Sequence, residues 1–141
     1  PACGRRYADR VSGPMIDRFD LIIEVPGVTS EMLFTSKISE TSHVIANRVV
    51  AARAYAATRA MQGADCAKAQ LQPDQLSEIV NFDDDAATLL KTAIEHSRLS
   101  ARAYHKIQRV ARTIADLNAE VTISRTTIAE ALAYRAMPLL A

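Results

Sequence analysis

Apolar positions along the chain follow two regimes. Near the start they cluster: Asp20-Leu21-Ile22-Ile23-Glu24-Val25 is rich in β-branched residues and closed by Pro26-Gly27, which predicts a buried strand with a hard stop. Ahead of it, Ser12-Gly13-Pro14 offers a cap and a first-turn proline for a short helix from Pro14 to about Phe19. A lone strand cannot satisfy its ladder, so its partners must come from sequence that this chain barely supplies. From Ser42 the period turns helical. Ile45, Val49, Ala52 and Ala56 recur at spacings of four, three and four, while Arg48, Tyr55 and Arg59 share another face. That helix is expected to run to about Met61, with Gly63 ending it.

Residues 63–72 read as a loop, and Pro73 fits the first position of a short helix through about Val80. Asp83-Asp84-Asp85 then opens a helix ending near Ser97, with its acids at the positive end of the macrodipole. Three consecutive carboxylates on a helix point in three directions, so the triplet reads as dipole complement rather than metal site. Ser100 caps the best-formed helix, Ala101 to about Leu117. Its seam is Ala103, Ile107, Val110, Ile114 and Leu117, with Arg102, Lys106, Arg109 and Asp116 expected on the opposite side. Val121-Thr122-Ile123 is a short extended piece, and Ser124 caps a last helix to about Arg135, stopped by Pro138. The layout is a strand-bearing segment (1–26), a linker (27–41) and a bundle of four or five helices.

Composition changes this picture little. The 141 residues are 49% hydrophobic and 23% charged, as in an ordinary mainly helical globular domain. Seventeen basic against sixteen acidic residues give a net charge of +1, which excludes the strong global field of a dedicated nucleic-acid binder. Any DNA contact would be local, through Arg48, Arg59 and Arg109. The apolar runs are far shorter than the ~20 residues of a membrane span, and two cysteines, Cys3 and Cys66, suit a reduced compartment, so a cytoplasmic location is expected. The chain opens at Pro1 on a Cys-Gly-Arg-Arg string, which reads as a piece of something longer.

Candidate chemistry is sparse. None of the four glycines has phosphate-loop spacing, and no H-E-x-x-H or paired C-x-x-C motif occurs. His43, His96 and His105 stand at unrelated spacings, which argues against metal ligation, and neither cysteine has a histidine nearby in sequence for nucleophilic catalysis. The informative unit is residues 12–26, in which Arg18 falls at a helix C-terminus just before the strand. There it either complements the helix dipole, with Asp17 or Asp20 as a surface partner, or projects toward a neighbouring subunit.

Two segments carry a resemblance. Residues 12–21, Ser-Gly-Pro-Met-Ile-Asp-Arg-Phe-Asp-Leu, and residues 100–117, Ser-Ala-Arg-Ala-Tyr-His-Lys-Ile-Gln-Arg-Val-Ala-Arg-Thr-Ile-Ala-Asp-Leu, resemble the C-terminal portion of bacterial magnesium-chelatase-like AAA+ ATPases of the competence protein M family. Supporting similarities are Arg48-Val49, Ala52-Arg53, Ala129-Glu130-Ala131 and Tyr134-Arg135, so the resemblance spans nearly the whole chain.

The resemblance implies a mainly α fold: residues 1–26 as the last helix and strand of the α/β AAA+ core, 27–41 as linker, and 42–141 as the helical lid. It implies Arg18 as an arginine finger acting in trans, Asp17 as the residue that orients it, and Arg102 as the sensor-2 arginine on the nucleotide phosphates. A guanidinium suits charge developing on γ-phosphoryl oxygens. ATP and Mg2+ are the implied cofactors of the parent protein, neighbouring protomers of a homo-hexamer and branched or single-stranded DNA its partners, and branch migration in competence and recombination its work. No membrane partner is expected. Without Walker A and Walker B motifs the chain by itself is expected to be inactive and to need no cofactor. Cys3 resembles the last member of a cysteine-rich insert, and no metal site is expected otherwise; Gly63-Ala64-Asp65 departs from the family's loop, so no role is carried over to it. Two other functions compete: the ATPase subunit of a magnesium chelatase, and a stand-alone helical interaction module in which thirteen Arg against four Lys serve forked hydrogen bonding.

Overall fold

The structure, a computed structural model, describes residues 15, 17–34, 39–60, 73–97 and 99–135. Six helices occur among the described residues: α1 (Ser30–Phe34), α2 (Ser42–Ala60), α3 (Pro73–Ile79), α4 (Asp84–Ser97), α5 (Ala101–Leu117) and α6 (Arg125–Ala133). The expected features at Ser12-Gly13-Pro14, the 63–72 loop, Cys3, Cys66 and Pro138 lie outside the described residues.

Local chemistry explains where the helices begin. Ser100 is extended (φ −69°, ψ 157°) and its hydroxyl accepts from the Ala103 N–H at 3.1 Å; Ser124 caps α6 in the same way. Asp83 caps α4 by accepting from the Ala86 N–H at 2.6 Å, while Asp84 and Asp85 stay exposed in the first turn, as dipole complement requires.

α5 is the central element. It packs against α6, α2 and α3, and α4 closes on α6. The core joins Leu76 and Val80, Ala86 and Leu90, Ile107, Ala111, Ile114 and Ala115, then Ile123, Ile128 and Ala131. Each fully buried Leu or Ile contributes roughly 1.5–3 kcal/mol. A single parallel bridge, Phe82 with Ile123, ties the α3–α4 connection to the α5–α6 connection: Ile123 N–H donates to Asn81 C=O at 2.7 Å and Asp83 N–H to Ile123 C=O at 3.1 Å.

Three expectations are corrected, and the expected linker gains a short helix. The run 20–25 is extended but forms no strand, because a ladder needs a second strand and the described residues supply none; only Ile22 N–H is engaged, on Tyr134 C=O at 2.9 Å. The linker 27–41 contains α1. The seam of α2 is not buried at its start: Ile45 and Val49 are 44% and 38% exposed, since Val44 and Val50 spread the apolar residues around the helix, and only its second half is partly covered. Finally, Lys106 and Asp116 of the supposed polar side of α5 are buried, whereas Leu117 of its seam is 45% exposed.

Candidate functional site

Arg18 lies in a tight turn after Met15, with its N–H donating to Met15 C=O at 2.9 Å. The turn is gripped from two sides. Lys106 of α5 donates from Nζ to the Arg18 carbonyl and pairs with Asp20 Oδ1 at 3.0 Å. Arg135, just beyond α6, donates to the Phe19 carbonyl at 3.2 Å and to Asp17 Oδ1 at 3.4 Å. Each cation thus takes one backbone carbonyl and one carboxylate. The Lys106 side chain is only 10% exposed, so its partners offset a desolvation cost that an unpaired ammonium would carry in full.

The Arg18 side chain is exposed and has no hydrogen-bond or ion-pair partner among the described residues. Asp17, expected to orient it, contacts Arg135 instead. Any orienting action of Asp17 therefore runs through the backbone of the turn.

Arg102 is also exposed, and no partner engages its guanidinium among the described residues. With Ser100 as cap it occupies the second position of α5, whose first turn carries no acid. A cation there opposes the macrodipole and lies beside the unsatisfied N–H groups of the helix start, so it forgoes a stabilisation that an acid would give. Lys106 follows one turn later on the same face, about 5–6 Å between Cβ atoms for such a pair. The structure thus brings the backbone of Arg18 and the helix start bearing Arg102 to one face of α5.

The three arginines considered for local DNA contact stand in different surroundings. Arg48 is held by Glu40 through a forked pair at 3.2 and 3.0 Å, Arg109 is half-buried, and the Arg59 side chain lies outside the described residues. The histidines bond within their own helices: His43 with Asn47, His96 with Thr92 and His105 with Gln108. Among the described residues no group of His, Cys, Asp and Glu could hold a metal ion, and no helix is long and apolar enough to cross a membrane.

A cleft of about 460 Å³ opens between residues 20–23, α5 and the end of α6, with Leu21, Ile23, Val110, Ile114 and Leu117 giving it apolar walls. Asp20 and Glu130 line it against one cation, Arg109, while Arg18 and Arg102 do not, so its charged lining favours a polyphosphate little. Tyr134, on the same cleft, donates to Glu130 Oε1 at 3.0 Å; that hydrogen bond and the nearby carboxylate raise the phenol pKa above its usual 10.0.

Residues 39–135 match the family model of the magnesium chelatase subunit ChlI C-terminal region, and residues 1–33 that of the magnesium chelatase subunit ChlI. The chain belongs to this magnesium-chelatase family. Among its relatives, the competence protein ComM of Haemophilus influenzae is 41% identical over 133 residues, covering 94% of this chain and 25% of that protein. The uncharacterized protein YifB of Escherichia coli is 34% identical over 136 residues, covering 94% of this chain and 26% of that protein. The chain spans about a quarter of the length of these curated relatives.

The sequence reading missed Lys106 and Arg135 as parts of the site. Lys106 meets its acceptor across a sequence separation of 88 residues, beyond the reach of periodicity. Arg135 stood only as a supporting similarity beside Tyr134.

Proposed function

We propose that this chain supplies two phosphate-directed arginines to an ATPase: Arg18 as a finger reaching the nucleotide of a neighbouring protomer, and Arg102 as the sensor-2 residue. The observation that carries this reading is the pair of exposed guanidiniums without partners among the described residues, one on the turn whose backbone Lys106 of α5 holds and the other one helical turn before Lys106 at the start of α5. A planar guanidinium suits the charge that develops on a transferring phosphoryl group, and a turn whose backbone is held narrows the positions from which the Arg18 side chain reaches out. ATP and Mg2+ are the cofactors of the whole protein in this reading, and a ring of identical protomers, a hexamer by the resemblance, is its assembly. The competence role in the name of the Haemophilus influenzae relative supports branched or single-stranded DNA as the substrate.

Arg18→Ala in the full-length protein should lower ATP turnover by ~10³-fold or more while the oligomer persists in size-exclusion chromatography. Turnover within tenfold of the wild type would overturn the finger assignment. A second reading is favoured by the family model itself, whose description is a magnesium chelatase subunit. ATP-dependent insertion of Mg2+ into a porphyrin by the full-length protein, with no unwinding or migration of branched DNA, would establish it instead.

A further inference from the structure

The turn that carries Arg18 is attached to the helical bundle by a cross-bracing pattern that neither the family models nor the candidate roles of Arg18 and Arg102 require. Lys106 stands in the second turn of α5 and Arg135 just beyond α6, yet they bind adjacent carbonyls, those of Arg18 and Phe19. Their second partners, Asp20 and Asp17, flank the same two residues. Backbone carbonyls do not titrate, and a cation on each holds the two peptide planes on either side of Phe19 against rotation. The Ile22 N–H on Tyr134 C=O adds a third tether from the residue next to Arg135. Lys106 is also one turn from Arg102 on α5. Tilting α5 would therefore move Arg18 and Arg102 together.

We infer that Lys106 and Arg135 are positioning residues, a two-cation clamp that locks the turn bearing Arg18 to the helix bearing Arg102 so that both guanidiniums move as one unit. The inference rests on the proposed finger role of Arg18. Its mechanical half, the clamp on the turn, is measurable without ATP.

The test uses the full-length protein and its Lys106→Met, Arg135→Met and Lys106→Arg variants. Amide hydrogen exchange at Arg18 and Ile22 should quicken at least tenfold in both Met variants and stay close to wild type in Lys106→Arg, which keeps a donor in place. In ATP turnover the Met variants should lose at least tenfold in kcat with KM for ATP within threefold, and Lys106→Arg should recover most of it. Added to Arg18→Ala, Lys106→Met should cost nothing more, because it acts through Arg18. Unchanged exchange in both Met variants overturns the clamp whatever the kinetics. Faster exchange with unchanged kcat, while Arg18→Ala abolishes turnover, overturns the positioning role and leaves the finger standing. Full turnover in Arg18→Ala overturns the finger reading, and the exchange data alone then decide the clamp. Should Lys106→Met fail to fold, the Asp17→Asn and Asp20→Asn double variant, at two carboxylates 44% and 65% exposed, removes the ionic half of both grips and must move exchange and kcat in the same direction.

Discussion

Arg112 shows how a charged residue becomes part of a core. Its side chain is fully buried, its Nε donates to Asp116 Oδ1 at 3.1 Å, and its Nη atoms donate to the Val121 carbonyl at 2.8 Å and to the Glu120 carbonyl. These bonds satisfy two carbonyls of the connection between α5 and α6 where no helix or ladder does so. Arg112→Met keeps much of the volume but leaves a buried carboxylate without the guanidinium. That change should cost about 3–5 kcal/mol, seen as a lower urea midpoint with an unchanged slope. Replacing Asp116 by Leu in the same chain should recover a large part of the loss, as removal of both charges from an apolar site does elsewhere. A single-variant loss under about 1 kcal/mol, the range of a solvated surface pair, would overturn this account.

At the scale of elements, α5 organises the molecule, and both of its ends are tied by local geometry. Its C-terminus closes as a Schellman motif: Glu120 N–H donates to Ala115 C=O at 2.7 Å and Ala119 N–H to Asp116 C=O at 3.2 Å. Ala119 pays for that closure with a left-handed backbone, φ 56°, where a glycine is the usual occupant. Ala119→Gly should therefore raise stability by about 0.5–1 kcal/mol in thermal or urea unfolding, the reverse of what glycine does inside a helix. A destabilised variant would show that unfolded-state entropy outweighs the strain.

The two ends of α5 also show what was legible in the sequence. Ser100 and Ser124 announce helix starts because capping is a contact across three residues, and α5 and α6 begin one residue after them, whereas the Asp83–Asp85 triplet announces α4 by its charge and its capping bond emerges only in the structure. The buried side of α5 was only half legible, because Lys106, Arg112 and Asp116 are buried by partners that spacing does not reveal. Arg112 and Asp116 stand four apart, a pairing the sequence does offer. Lys106 has no such local signal, and neither does the clamp. The strand at 20–25 failed for a different reason: its composition is right, but pairing is a property of two segments, and apolar Leu21, Ile23 and Val25 remain exposed here.

At the scale of the whole molecule, the finger reading makes a demand that no single-chain measurement can meet. If Arg18 acts on the nucleotide of the next protomer, its loss and the loss of the nucleotide site are defects on opposite sides of an interface. The interface of a ring is heterologous, so each protomer offers one side to each neighbour. A protomer carrying Arg18→Ala keeps its own nucleotide site, and a protomer with a disabled phosphate loop keeps its own Arg18. Each homo-oligomer should be inactive. Mixed at equal amounts and allowed to exchange, they should place an intact site against an intact finger at about a quarter of the interfaces, and turnover should reappear at up to that fraction of the wild type. A residue acting within its own chain gives the opposite result, since every protomer in the mixture then carries one fatal defect. Turnover that stays absent in verified mixed rings would assign Arg18 to its own protomer. The same mixture made with Lys106→Met in place of the phosphate-loop defect should regain little, because the reading puts both Arg18 and its clamp on the finger side and leaves every interface without a positioned guanidinium.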